Sequence, residues 1–100
     1  MANSDVFTRG ETVVCSLQVE TNAGTATTPD TSYVVTIEDP DGTEVVDAAT
    51  MTVDGTGELS KDYTIAADDV LGIYKVEYVL VHGVRKIIKQ DTFVVQALTT

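Results

Sequence analysis

One histidine and one cysteine are all that this sequence offers for imidazole or thiol chemistry. His82 is followed by Gly83 between two apolar runs, so it reads as the solvated tip of a hairpin and not as a general base. Cys15 sits inward in an alternating run. Without a second imidazole it reads as core packing and not as a nucleophile. Asp54-Gly55-Thr56-Gly57 lacks the lysine and helix that a phosphate-binding loop requires. Acids crowd one segment, Asp39, Asp41, Glu44 and Asp47, and Asp68-Asp69 forms a smaller pair. A calcium loop places acids at alternate positions with glycine sixth. Here Pro40 and Gly42 occupy the intervening places and demand a turn. No catalytic, cofactor-binding or metal-ligating residue is therefore assigned, and an enzyme is not expected.

The cations are more informative. Arg85, Lys86 and Lys89 are half of the six basic residues, gathered near the end of a chain whose formal charge is −10. Two readings stand side by side. They pair across strands with Glu77 and guard a sheet edge, or they form a basic stripe that docks an acidic surface. Ile73, Val79 and Val81 lie opposite Tyr74 and Tyr78 in parity, giving a nominally wet face an apolar character that marks interfaces. Ile73, Val79, Val81, Arg85, Lys86 and Lys89 are the candidate interface. Nucleic acid is excluded as a partner by the repulsion of phosphate from 16 acids. The same surplus, with ten Asp against four Lys, suits a high-salt cytoplasm as well as an ordinary acidic protein.

One hundred residues make one domain, 1–100 with a core over about 5–97. No apolar run reaches the roughly 20 residues that span a bilayer, so no membrane partner is expected. Met1 to Gly10 is polar, which predicts no signal peptide. A lone cysteine leaves stability to packing.

Strand chemistry dominates, with period-two alternation and abundant Val, Ile, Thr and Tyr. Strands are expected over Glu11–Glu20, Ser32–Glu38, Thr43–Asp47, Ala49–Val53, Glu58–Ala66, Gly72–Val81 and Val84–Ala97. Asp39-Pro40-Asp41-Gly42 predicts a tight turn. Thr21–Thr31 reads as a loop and Ala67–Leu71 as a short crossover. In the last strand Ile87, Phe93 and Val95 share a parity with Arg85, Lys89 and Asp91, which predicts a bulge. The class is all-β, a sandwich of seven to eight antiparallel strands.

Two stretches resemble known families. Asp69-Val70-Leu71-Gly72-Ile73-Tyr74-Lys75-Val76 is similar to the start of strand F in immunoglobulin-like domains. That resemblance implies a tyrosine corner, with Tyr74 folding its hydroxyl onto the crossover. In antibody-type members a cysteine two residues later pairs with one on strand B. Val76 stands there and Cys15 lies on the strand B candidate, so the core positions are kept without the disulfide. Gly72, Tyr74, Val76 and Cys15 are thus the structural candidates. Phe7-Thr8-Arg9-Gly10-Glu11-Thr12-Val13, Ile37 to Thr43, Gly72-Ile73-Tyr74 and Asp91 to Val95 resemble, in order, motifs of macroglobulin-like and bacterial immunoglobulin-like modules. The order and length also resemble small immunoglobulin-like virion proteins of tailed viruses.

What the resemblance implies is a non-enzymatic viral structural protein, a head decoration, neck or tail accessory part. It would be made in the host cytoplasm and held in the virion by its own copies or by capsid and tail proteins. The alternative is an immunoglobulin-like spacer or adhesion module of a cell-surface or secreted protein. A carbohydrate-binding sandwich is disfavoured because the chain has no Trp.

Overall fold

The computed structural model describes residues 5–21 and 24–97, so Met1 to Ser4, Asn22 and Ala23 of the expected loop, and Leu98 to Thr100 lie outside the described residues. It has eight strands: β1 (Asp5–Thr8), β2 (Thr12–Gln18), β3 (Ser32–Glu38), β4 (Glu44–Thr50), β5 (Thr52–Gly55), β6 (Glu58–Thr64), β7 (Gly72–His82) and β8 (Arg85–Gln96). They form two sheets, ordered β1-β8-β7-β3-β4 and β2-β6-β5.

The alternation read in the sequence is the alternation observed. In β2, Val13 and Cys15 are fully buried while Thr12, Val14 and Ser16 face out. In β7, Tyr74, Val76, Tyr78 and Leu80 are buried. Val35 and Ile37 of β3, Leu59 of β6, and Phe93 and Val95 of β8 complete the inner layers. Tyr74 stacks on Phe93 at 5.0 Å between ring centroids, and Phe7 meets Phe93 edge-on at 5.8 Å. Each such side chain contributes roughly 1.5–3 kcal/mol by leaving water.

The turns follow their chemistry. Asp39 Oδ1 accepts from the N–H groups of Asp41 (3.0 Å) and Thr43 (2.9 Å), and Gly42 takes φ of 89°. Between β6 and β7, Asp69 organises the crossover. Its carboxylate accepts from the Ala66 N–H (2.8 Å) and the Tyr63 hydroxyl, and its carbonyl accepts from the Arg9 guanidinium. Tyr74 donates to the Val70 carbonyl at 2.6 Å.

Three expectations are corrected. The strands are not all antiparallel: β1 runs parallel to β8, Asp5 opposite Phe93 through Thr8 opposite Gln96. Thr43–Asp47 and Ala49–Val53 are not the two short strands. One strand, β4, runs from Glu44 to Thr50, and β5 then joins the other sheet. The β3–β4 register shifts around Asp47 and Ala48, where Ala48 has φ of 46° and its N–H donates to Thr36 Oγ1. Finally, β8 has no bulge against β7. Pairing is continuous from Gly72 opposite Val95 to His82 opposite Arg85. By that register Arg85, Lys89 and Asp91 do share the inner face, and it tolerates them because residues 85–90 are all exposed and Asp91 is only half-buried.

Candidate protein-contact surface

The outer face of the larger sheet is built by parity. With Tyr74, Val76, Tyr78 and Leu80 turned inward, Ile73, Lys75, Glu77, Val79 and Val81 must turn outward. Their neighbours follow from the register. Val79 lies between Val34 of β3 and Ile88 of β8, giving a cross-strand row of three β-branched residues. One step toward the tip, Val81 lies between Ser32 and Lys86. One step the other way, Glu77 lies between Thr36 and Gln90, and Gln90 Nε2 donates to Glu77 at 3.3 Å. At the far end Ile73 and Val94 adjoin Val6. Rows are about 7 Å apart along the strands. Ile73 is 58% exposed, Val6 55% and Ile88 52%, while Val34, Val79, Val81 and Val94 are half-buried.

The structure therefore keeps Ile73, Val79, Val81 and Lys86 on one face and divides the basic stripe. Lys86 stands beside Val81, whereas Arg85 and Lys89 face the other way, paired with His82 and Tyr78. None of the three meets Glu77, whose cross-strand partner is Gln90. Among the described residues the one contact within 4 Å between a carboxylate and a basic side chain is Asp30 Oδ1 to His82 Nδ1, at 3.6 Å.

Asp30 was not singled out by the sequence, yet it ties the hairpin tip to the loop before β3. Its carboxylate accepts from the Gly83 N–H at 2.7 Å and the Thr31 hydroxyl at 2.9 Å, and its own N–H donates to His82 Nδ1 at 3.2 Å. The Gly83 bond, followed by the Thr31 bond, holds the Asp30 carboxyl below its ordinary value. Ile88 and Val34 were also passed over. The signal for Val34 was its parity opposite Val35, and for Ile88 its parity in a strand expected to bulge.

Inside the sandwich, burial pushes the Cys15 thiol up to about 11, with Asp91 adding to the rise and Tyr78 opposing it. Burial likewise raises Tyr78, whose buried hydroxyl meets no partner in good hydrogen-bond geometry; the Cys15 thiol is close enough to interact with it, but only as a weak partner. Such a thiol is protonated at neutral pH and nucleophilically inert. Among the described residues no three His, Cys, Asp or Glu side chains are grouped to hold a metal ion. An open depression of about 560 Å³ on the outer face brings Glu38, Glu44 and Glu77 around Lys75, without imidazole or thiol. No protein-family model matches this chain, and no curated protein is significantly similar to it.

Proposed function

We propose that this chain is a non-enzymatic immunoglobulin-like domain that works through protein–protein contact, as an accessory part on the head, neck or tail of a tailed-virus particle. The sheet order supports the immunoglobulin-like reading. Strands β2, β6 and β5 take the B, E and D places, and β8, β7, β3 and β4 take G, F, C and C′. The Tyr74–Val70 bond sits where a tyrosine corner would, at the start of the F place.

The observation that carries the contact function is the row Val34–Val79–Ile88. Three β-branched side chains lie abreast on a face that, in a free domain, would favour polar residues. Apolar burial supplies attraction there, and Lys86 beside it steers acidic surface and sets register. A face this small gives each copy modest affinity. On a symmetric shell many copies act together, so avidity compensates. The virion setting rests on the resemblance of the motif order.

The test is the double substitution Val79→Asp with Lys86→Glu. We expect it to abolish association with the domain's own copies, or with capsid or tail protein, in sedimentation velocity while the circular dichroism spectrum is unchanged. Binding that survives would show that another face makes the contact. Antibody labelling of purified tailed particles from the source culture tests the setting. Recovery of the domain in the cell-envelope fraction alone would favour the spacer alternative.

A further inference from the structure

Among the described residues the outer edge of β8 is unpaired over more than half its length. β1 covers only Phe93 to Gln96, and among the described residues nothing pairs with that edge before Phe93. The hairpin register says which groups are presented. A two-residue turn, Gly83-Val84, makes His82 and Arg85 a hydrogen-bonded pair. Alternation then leaves Lys86, Ile88, Gln90 and Thr92 with N–H and C=O directed away from β7. The Arg9 N–H bonded to the Gln96 carbonyl fits that parity. The Thr92 N–H is taken by the Asp91 carboxylate at 2.8 Å, which ends the free donor series.

We infer that this edge accepts an extended acidic strand from a partner protein, added antiparallel along Arg85 to Gln90. The inference rests on the contact function proposed above and names the mode and the partner's chemistry. Charge selects the partner. From His82 to Gln90 the chain carries Arg85, Lys86 and Lys89 and no acid, in a protein of net charge −10. A second copy's β8 would bring these cations against one another, which opposes pairing. The sheet's other edge, β4, is acidic, but its register is broken around Asp47 and Ala48, and such irregularities blunt edges. The side chains beside an added strand are specified on both faces: Arg85, Ile87 and Lys89 on one, Lys86, Ile88 and Gln90 on the other. The complement, read antiparallel from Lys89 to Arg85, is acid, apolar, apolar, acid, acid.

The probe is an acetylated, amidated peptide with the core Glu-Val-Val-Glu-Glu, titrated into the isotope-labelled domain. The expected result is saturable shifts and slowed hydrogen exchange at the Lys86, Ile88 and Gln90 amides, weakening as NaCl rises. Replacing both lysines (Lys86→Glu with Lys89→Glu) weakens binding about tenfold. Ile88→Pro removes an outward N–H and abolishes it; because that variant can also disturb the hairpin, a peptide N-methylated at its edge-facing amides must fail equally on the unaltered domain. Asp54→Asn, in β5 of the smaller sheet, leaves peptide affinity within about twofold. The inference is overturned if a Lys-Val-Val-Lys-Lys peptide binds as well, if shifts spread over Val34 and Val79 without protection of the edge, or if the domain alone protects these amides as its concentration rises. Association abolished by Val79→Asp but indifferent to Ile88→Pro would sink the edge and spare the face.

Discussion

The Tyr74 hydroxyl donates to the Val70 carbonyl at 2.6 Å while its ring lies fully buried against Phe93. Four residues to the C-terminal side, Tyr78 is equally inward, but its buried hydroxyl has no partner in good hydrogen-bond geometry, only the weak Cys15 thiol nearby. The two phenols should respond oppositely to the same change. Tyr74→Phe is expected to cost about 1 kcal/mol, the net worth of a made bond. That is about 4–8 °C in a domain of this size. Tyr78→Phe removes an unsatisfied group and should leave stability unchanged or raised. Urea midpoints of the two variants check the pair, and a Tyr74→Phe midpoint equal to the parent's would refute the anchoring role of Val70.

Cys15 predicts a pH dependence. Its thiol is raised from 9.0 to about 11, mainly by burial. The unfolded chain therefore releases this proton before the folded one does, and the unfolded state gains as pH rises. The stability contribution is whole below about pH 9 and declines toward pH 11, by up to about 1.4 kcal/mol per unit. Cys15→Ala should start from a lower stability and lose part of that slope between pH 8.5 and 10, before the tyrosines intervene. In the native state a thiol reagent should label Cys15 slowly, and quickly in denaturant. Fast native labelling would contradict the buried position.

Gly57 is the least replaceable glycine. It has φ of 73°, and a Cβ there would lie 2.5 Å from the Val19 carbonyl oxygen and 2.9 Å from the Thr27 nitrogen. These two atoms are the acceptor and donor of one bond that holds this loop, Thr27 N–H to the Val19 carbonyl, and the Val19 N–H donates in turn to the Gly57 carbonyl. Gly57→Ala should cost about 3 kcal/mol. Gly42→Ala, with φ of 89° but open space around it, should cost only about 1–2 kcal/mol of backbone strain. Thermal melts that rank the two in the reverse order would remove the steric argument.

The charge of −10 predicts a salt response. Raising NaCl from 0.1 to 1 M shortens the Debye length from about 10 to 3 Å, so repulsion among the carboxylates falls. The melting temperature should rise across that range. A flat or falling curve would mean that self-repulsion is not what limits stability, and would remove the case for a high-salt source.

Much of the fold was legible because its signals are local. Alternation in Thr12–Gln18, Ser32–Glu38 and Gly72–His82 assigns each side chain to a face, since successive residues of a strand must point oppositely. Asp39-Pro40-Asp41-Gly42 makes its own turn through the Asp39 carboxylate. Tyr74 needs only Val70, four residues away, to satisfy its hydroxyl.

Tertiary structure decided whatever depends on distant partners. β1 is too short to show a period, and only its parallel register with the chain's last strand makes it a strand. The passage from β4 to β5 changes sheets through Met51, a step that composition does not mark. The parity of Arg85, Ile87 and Lys89 was visible and pointed to a bulge, on the premise that an inward position must be covered. The unbroken β7–β8 register shows otherwise: an inward-facing residue is buried only where another layer stands opposite it. The same register splits the basic residues between two faces, and among the described residues only the short β1 covers the outer edge of β8, because face is set by local alternation, whereas cover and neighbours are set by which strands arrive from elsewhere in the chain.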